Sequence, residues 1–177
     1  MMTCPNLLIT PLNASHDKAG FHCNVEMLDR YLHKQAGQDI KRRISRVFVA
    51  SLPDNPTVVM GYYSLSTLSI ELTQLPDNLA RKLPRHPIPA ALVGRLAVSK
   101  KDQGCGIGKI LLVDAIKRTL SVSSHIGIYA MVVDAINDSA IEFYEQFGFA
   151  RLNDDSSRLF LPLKSFEDDV TRHPGRF

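Results

Sequence analysis

Between Leu92 and Lys109 an apolar run, Leu-Val-Gly-Arg-Leu-Ala-Val, passes through a short polar stretch into Gly104, Gly106 and Gly108 and then into a helical pattern. Strand, glycine turn and helix in immediate succession leave the backbone few ways to fold. Glycines at alternate positions let the chain turn sharply and present its N–H groups. The helix beginning near Gly108 adds amides without intrahelical partners and the positive end of its dipole. Such a cradle accepts a pyrophosphate.

Two familiar phosphate-binding patterns fail on spacing. A Walker-type loop requires glycine five positions before the glycine of the Gly-Lys pair and Ser or Thr after it, where this chain has Gln103 and Ile110. A dinucleotide-binding Gly-x-Gly-x-x-Gly also fails, because no third glycine stands where it is needed. The spacing that fits is Gln-x-x-Gly-x-Gly, filled by Gln103, Gly106 and Gly108 and preceded by Arg95-Leu96-Ala97-Val98. This string resembles the acetyl-CoA signature of the GNAT superfamily of N-acetyltransferases. The resemblance implies that Leu96, Ala97 and Val98 lie on a strand splayed from its neighbour, where free backbone groups pair with the pantetheine arm. It further implies that Gln103, Gly104, Cys105, Gly106, Ile107, Gly108 and Lys109 hold the diphosphate through backbone amides, with the Lys109 side chain adding charge.

The rest of the chain bounds the class. At 177 residues it is one domain of ordinary size, and 45% hydrophobic with 22% charged residues excludes disordered and fibrous classes. Cys4, Cys23 and Cys105 show no paired spacing, so neither a disulfide framework nor a zinc knuckle is indicated, and no metal site is expected. No secretory leader is recognisable, and no apolar run approaches the ~18 residues that cross a bilayer. A reducing cytoplasm is the simplest home.

Leu7 to Leu12 reads as a first strand, and Asn24 as the N-cap of a helix with Leu28, Tyr31, Leu32 and Gln35 on one face, continuing or restarting through Arg43. Val47–Ser51 and Val58–Leu68 flank a Pro/Asp/Asn turn, and Ser69–Leu72 ends a three-stranded meander. Three prolines between Leu83 and Pro89 predict a loop, followed by a strand over Ala91–Ser99. Gly108, Leu111, Leu112, Ala115, Ile116, Thr119 and Leu120 form a helical stripe, and Ile128–Asp134 a buried strand. A last helix has Asn137, Asp138 and Ser139 as caps, a capping box from Ser139 to Glu142, and Gly148 as its left-handed terminator. Final strands at Phe149 and Arg158–Leu163 precede a tail from Glu167 that is expected to be loose. The order predicts an α+β domain with a mixed central sheet flanked by helices, the order of the GNAT fold. One domain over residues 1–165 and a flexible tail over 166–177 follow.

Tyr144 is a core residue by helical spacing alone. The family resemblance makes it the phenol that faces the CoA sulfur. With a pKa near ~10 it stays protonated at neutral pH and can donate to the departing thiolate. Asn137 is an N-cap by position, and by resemblance also a pantetheine contact. No general base stands out, Glu71 and His86 being the nearest candidates. An α-amine with pKa near ~8 needs a base less than a lysine does, which tilts the acceptor toward an α-amine.

The net charge is only +3, but Lys34, Lys41, Arg42, Arg43 and Arg46 face a single acid, Asp39, and Lys82, Arg85 and Arg95 form a second basic group. Read with Val25–Leu32, Gln38–Ala50, Gly61–Leu65, Pro87-Ile88-Pro89, Gly94–Val98 and Val133-Asp134-Ala135, this run resembles a narrower group, the GNAT toxins of bacterial toxin–antitoxin modules. The resemblance covers residues 7 to 163. It implies acetylation of the α-amine of aminoacyl-tRNA, with Lys34, Lys41, Arg42, Arg43, Arg46, Arg85 and Arg95 on the tRNA, a ribbon–helix–helix antitoxin and a homodimer. Two rival expectations are a GNAT enzyme acting on a small-molecule amine or protein N-terminus, and a non-enzymatic CoA- or RNA-binding module.

Overall fold

The computed structural model describes residues 6–153 and 156–172; Cys4 and the last five residues of the chain lie outside them. The strands are β1 (Leu8–Pro11), β2 (Arg46–Ser51), β3 (Gly61–Ile70), β4 (Ile88–Val98), β5 (Ala130–Asp134), β6 (Ala150–Arg151) and β7 (Arg158–Pro162). The helices are α1 (Glu26–Arg30), α2 (Ala36–Lys41), α3 (Asp77–Ala80), α4 (Ile107–Ser123), α5 (Asp138–Glu145) and α6 (Leu163–Arg172). Among the described residues the strands form one mixed sheet in the order β1-β2-β3-β4-β5-β7-β6, in which β4 and β5 run parallel. This is the α+β architecture expected. No helix among the described residues is long and apolar enough to cross a membrane.

The chain clusters into two compact units, Met1–Ser66 with Arg95–Lys117, and Thr67–Gly94 with Arg118–Phe177. Each has its own core. In the first, Phe21, Leu28, Tyr31, Leu32, Val47, Val49, Tyr62 and Ala97 pack together. Complete burial of a side chain of this size contributes about 1.5–3 kcal/mol. Tyr62 donates its hydroxyl proton to the Leu28 carbonyl at 2.7 Å, so the helical segment is fixed to β3 by a bond as well as by packing. Gly61 admits no side chain: a Cβ would lie 2.9 Å from the Ala97 carbonyl oxygen and 2.9 Å from Leu111 Cδ1. In the second unit, Ile70, Ile88, Ala90, Ala130, Val132, Leu152 and Phe160 form the core.

Several local expectations are corrected. Asn24 has φ of 69° and is not the N-cap of α1; Val25 is, without a side-chain bond. A π-helical turn over Tyr31–Gln35 joins α1 to α2, and its extra residue turns Gln35 to solvent and Ala36 into the core. Ser69 and Ile70 continue β3 rather than making a third meander strand. β4 starts at Ile88 and takes in Pro89, whose carbonyl accepts the Tyr129 N–H at 2.9 Å; proline lacks only the donor, and near a strand start that is tolerated. In α5, Asn137 alone is the cap, accepting the Ala140 N–H at 2.9 Å, so Ser139 and Glu142 form no capping box. The chain end read as a loose tail is helix α6 as far as Arg172, with Leu163 and Phe166 buried.

Candidate active site

The glycine turn belongs to the first unit. β4 pairs with β5 only from Ala90 to Val93, opposite Ala130 to Val133, so Gly94–Val98 run on beyond the last residue paired with β5. Leu96 and Val98 are half-buried there and Ala97 is buried. Past Ser99 the chain makes a 3-10 turn over Lys100–Asp102 and reaches Gln103. The Gln103 side-chain amide donates to the Val98 and Cys23 carbonyls, both at 3.1 Å, so this side chain holds the turn together. Gly104 and Gly106 have φ of 80° and 81°, values that glycine adopts without strain. A Cβ on Gly104 would meet nothing within 4 Å, so the turn is open to a ligand.

Helix α4 begins at Ile107, which is buried and anchors the turn from below, while Gly108 is half-buried and Lys109 exposed. The Ile110 N–H reaches the Gly106 carbonyl at 3.2 Å, and the amides before it belong to the turn that has no intrahelical acceptor. Cys105 is half-buried with Sγ 3.9 Å from the Gln103 carbonyl oxygen. Along α4, Leu111, Leu112, Ala115, Ile116 and Thr119 are buried as the stripe predicts.

The basic segment is in the same unit. Lys34, Lys41, Arg42, Arg43 and Arg46 are all exposed. Arg43 ends α2 in the left-handed region, at φ of 60°, and the Ile44 N–H closes the helix on the Asp39 carbonyl at 2.9 Å. Arg95 is held differently: its guanidinium carbon lies 3.7 Å from the centroid of the Tyr31 ring, a cation–π seat.

Tyr144, Asn137 and Arg85 belong to the second unit. Tyr144 is buried on α5 between Phe143 and Phe149, with ring centroids at 5.2 and 5.8 Å. Burial raises its pKa well above the ordinary tyrosine value, and the Asp134 carboxylate raises it further, so the phenol keeps its proton. Asn137 is exposed with its side-chain oxygen engaged as the α5 cap, and Arg85 is exposed. The two base candidates have local partners: Glu71 and Gln74 form a reciprocal cap, and His86 Nδ1 lies 3.1 Å from the Pro87 carbonyl oxygen.

A family model for the GNAT acetyltransferase domain matches residues 43–151. The chain belongs to the GNAT acetyltransferases. It is 35% identical to a tRNA-acetylating toxin of Mycobacterium tuberculosis (strain ATCC 25618 / H37Rv), over 86% of this chain and 90% of the relative. The solved structure of AtaT complexed with acetyl-methionyl-tRNAfMet matches with a TM-score of 0.84 at 31% identity, covering 92% of this chain and 98% of that one. A second structure holds a tyrosine-to-phenylalanine variant of the AtaT toxin with the C-terminus of its antitoxin AtaR and acetyl-CoA. It matches with a TM-score of 0.78 at 28% identity, covering 94% and 99%.

This GNAT chain uses acetyl-CoA as its acetyl donor, and the residues present fit that molecule. The open glycine turn offers main-chain donors to a diphosphate, and β4 beyond Val93 offers backbone groups to an extended amide chain. Two contacts, one in each unit, are not legible in the sequence. Asp134 takes two hydrogen bonds from the Arg158 guanidinium, at 2.7 and 3.1 Å, which fixes the carboxylate that raises the Tyr144 pKa. Asp29 accepts the Cys23 N–H at 2.9 Å. In the sequence Asp134 stands out only as the end of the apolar run and within the toxin-like Val133-Asp134-Ala135, and Asp29 only within the toxin-like Val25–Leu32.

Proposed function

We propose that this GNAT enzyme acetylates the α-amine of aminoacyl-tRNA and thereby blocks translation as a toxin. The observation that carries the substrate assignment is the exposed basic segment Lys34 to Arg46, in a chain similar over most of its length to a tRNA-acetylating toxin. Five cations on one short segment suit a polyphosphate backbone, and affinity from such contacts falls steeply with salt. Arg95, seated on Tyr31, would hold the acceptor end, and Arg85 would add a further tRNA contact.

Acetyl-CoA supplies an activated acetyl group and a thiolate leaving group. On this reading the amides of Gly104 to Lys109 hold the diphosphate, with Gln103 positioning the turn, and Leu96, Ala97, Val98 and Asn137 orient the pantetheine arm. Tyr144 gives its proton to the departing sulfur as the amine bonds to the acetyl carbon and the C–S bond breaks; the amine proton passes to solvent, from which Tyr144 is reprotonated. An acceptor with pKa near ~8 is neutral often enough to attack without a dedicated base. One acetyltransferase domain over residues 1–165, a cytoplasmic location, a homodimer and a ribbon–helix–helix antitoxin complete the proposal.

The test is transfer from labelled acetyl-CoA to charged tRNA, deacylated tRNA, polyamines and a peptide with a free N-terminus. Label on charged tRNA alone is the expected result. Label on the peptide or a polyamine, with none on charged tRNA, overturns the substrate assignment; no transfer to any acceptor reduces the protein to a binding module.

A further inference from the structure

The glycine turn is tied to a segment far away in sequence, Phe21–Asn24, by two bonds. The Lys100 N–H donates to the His22 carbonyl at 2.8 Å, and the Gln103 side chain donates to the Cys23 carbonyl at 3.1 Å. That segment is tied in turn to the helical region. The Cys23 N–H donates to Asp29 Oδ1 on α1 at 2.9 Å, and His33 Nε2 lies 2.8 Å from the Phe21 carbonyl oxygen. Asn24 makes this possible, since its left-handed backbone reverses the chain just before α1, and asparagine tolerates that conformation better than most residues. The Asp29 side chain is largely buried, with 16% exposure, so water is a poor substitute acceptor for the Cys23 amide.

We propose that Asp29 and Gln103 are positioning residues for the diphosphate turn: they hold Phe21–Asn24 against it and so keep the amides of Gly104 to Lys109 turned toward the ligand. Neither needs to touch the ligand itself. This rests on the reading of that turn as the coenzyme A site, and it adds that α1, far from the Gln-x-x-Gly-x-Gly string, contributes to coenzyme affinity. The α1 helix leads through the π turn to Lys34 and the rest of the basic segment, so one brace serves the element bearing those cations as well as the turn.

The experiment compares wild type with Gln103→Met, Asp29→Leu, Asp29→Asn and the Gln103→Met/Asp29→Leu double variant, each confirmed folded by its melting temperature. Coenzyme A binding is measured by calorimetry, and exchange of the Gly104 to Lys109 amides by hydrogen–deuterium exchange. Loss of one partly buried bond weakens coenzyme A binding about five- to tenfold and speeds exchange of those amides by a similar factor. Asp29→Asn keeps an acceptor for the Cys23 amide and stays within about twofold of wild type. The double variant loses less than the product of the single losses, because both act through one segment. In the transfer assay KM for acetyl-CoA rises while kcat at saturation holds. If Asp29→Leu binds coenzyme A as wild type does and its turn amides exchange at the wild-type rate, the brace is wrong. If wild type itself takes up no coenzyme A, the reading of the turn fails instead, and the exchange data still decide the brace.

Discussion

On the proposed mechanism the glycine turn and Tyr144 perform their tasks by opposite means. At the turn the chemistry is in the main chain: Gly104 and Gly106 have positive φ, the surface is open, and the side chains named there, Gln103 and Ile107, anchor rather than display. At Tyr144 the chemistry is one phenol, buried among aromatic rings and kept protonated by desolvation and by Asp134. A site of main-chain donors fails when backbone angles change. A site of one side chain fails when one atom is removed.

The largest effect should follow from that single atom. Tyr144→Phe keeps the ring and its packing but deletes the proposed proton donor, so kcat should fall about 10²- to 10⁴-fold while coenzyme A affinity stays within about twofold. Kinetics paired with calorimetry checks this. Equal losses in kcat and affinity would show that the hydroxyl serves binding, and the contrast with the turn would disappear. The raised phenol pKa carries a second consequence. The native state holds this proton at pH values where the unfolded chain releases it, so the stability gained from a neutral buried Tyr144 is complete below pH ~10 and is lost as pH climbs toward the folded value. Denaturant midpoints from pH 8 to 11 should therefore fall less in Tyr144→Phe than in wild type.

The two regions also differ in how far the sequence discloses them. Glycine spacing announces the turn because φ is a local property, and the same holds for Gly148, the α4 stripe and the buried run of β5. Tyr144 is buried, as its helical spacing along α5 describes, and the catalytic role proposed for it comes only from the family string. What stayed hidden depends on distant partners. Nothing near Asp134 points to Arg158, and nothing near Asp29 points to Cys23 as its bonding partner. Local rules also erred where geometry overrode propensity. Asn24 is a good cap by type, but its left-handed backbone serves a chain reversal instead. Ser139 and Glu142 have the spacing of a capping box, yet Asn137 already satisfies the Ala140 amide. An inserted π residue exchanged Gln35 for Ala36 in the core.

A smaller effect should come from the turn. Gly106→Ala places a Cβ on a residue with φ of 81°, at a cost of about 1–2 kcal/mol, which the chain meets by straining or reshaping the turn. Coenzyme A affinity should fall about tenfold with kcat at saturation nearly unchanged, the reverse of the Tyr144→Phe pattern. A loss of kcat without a loss of affinity would mean that this backbone positions the reacting end of the ligand rather than its diphosphate.

The smallest effect tests whether a main-chain position can reach the side-chain site. Gly148 ends α5 with φ of 91°; its N–H donates to the Glu145 carbonyl at 3.0 Å, and the next N–H, of Phe149, reaches the Tyr144 carbonyl at 3.3 Å. Space is available there, since a Cβ would lie 3.7 Å from Leu161 Cδ1, so the penalty of Gly148→Ala is conformational alone. It should destabilise the protein by about 1 kcal/mol and lower the melting temperature by roughly 2–4 °C. Gly148→Asn should recover part of the loss, because asparagine is the other residue commonly found at a left-handed helix end. If kcat in Gly148→Ala is unchanged despite the lower melting temperature, the Tyr144 hydroxyl is held by its aromatic packing and not by the helix end. If kcat falls tenfold or more, the backbone bond between Phe149 and Tyr144 is part of what aims the phenol, and main-chain geometry matters at both sites.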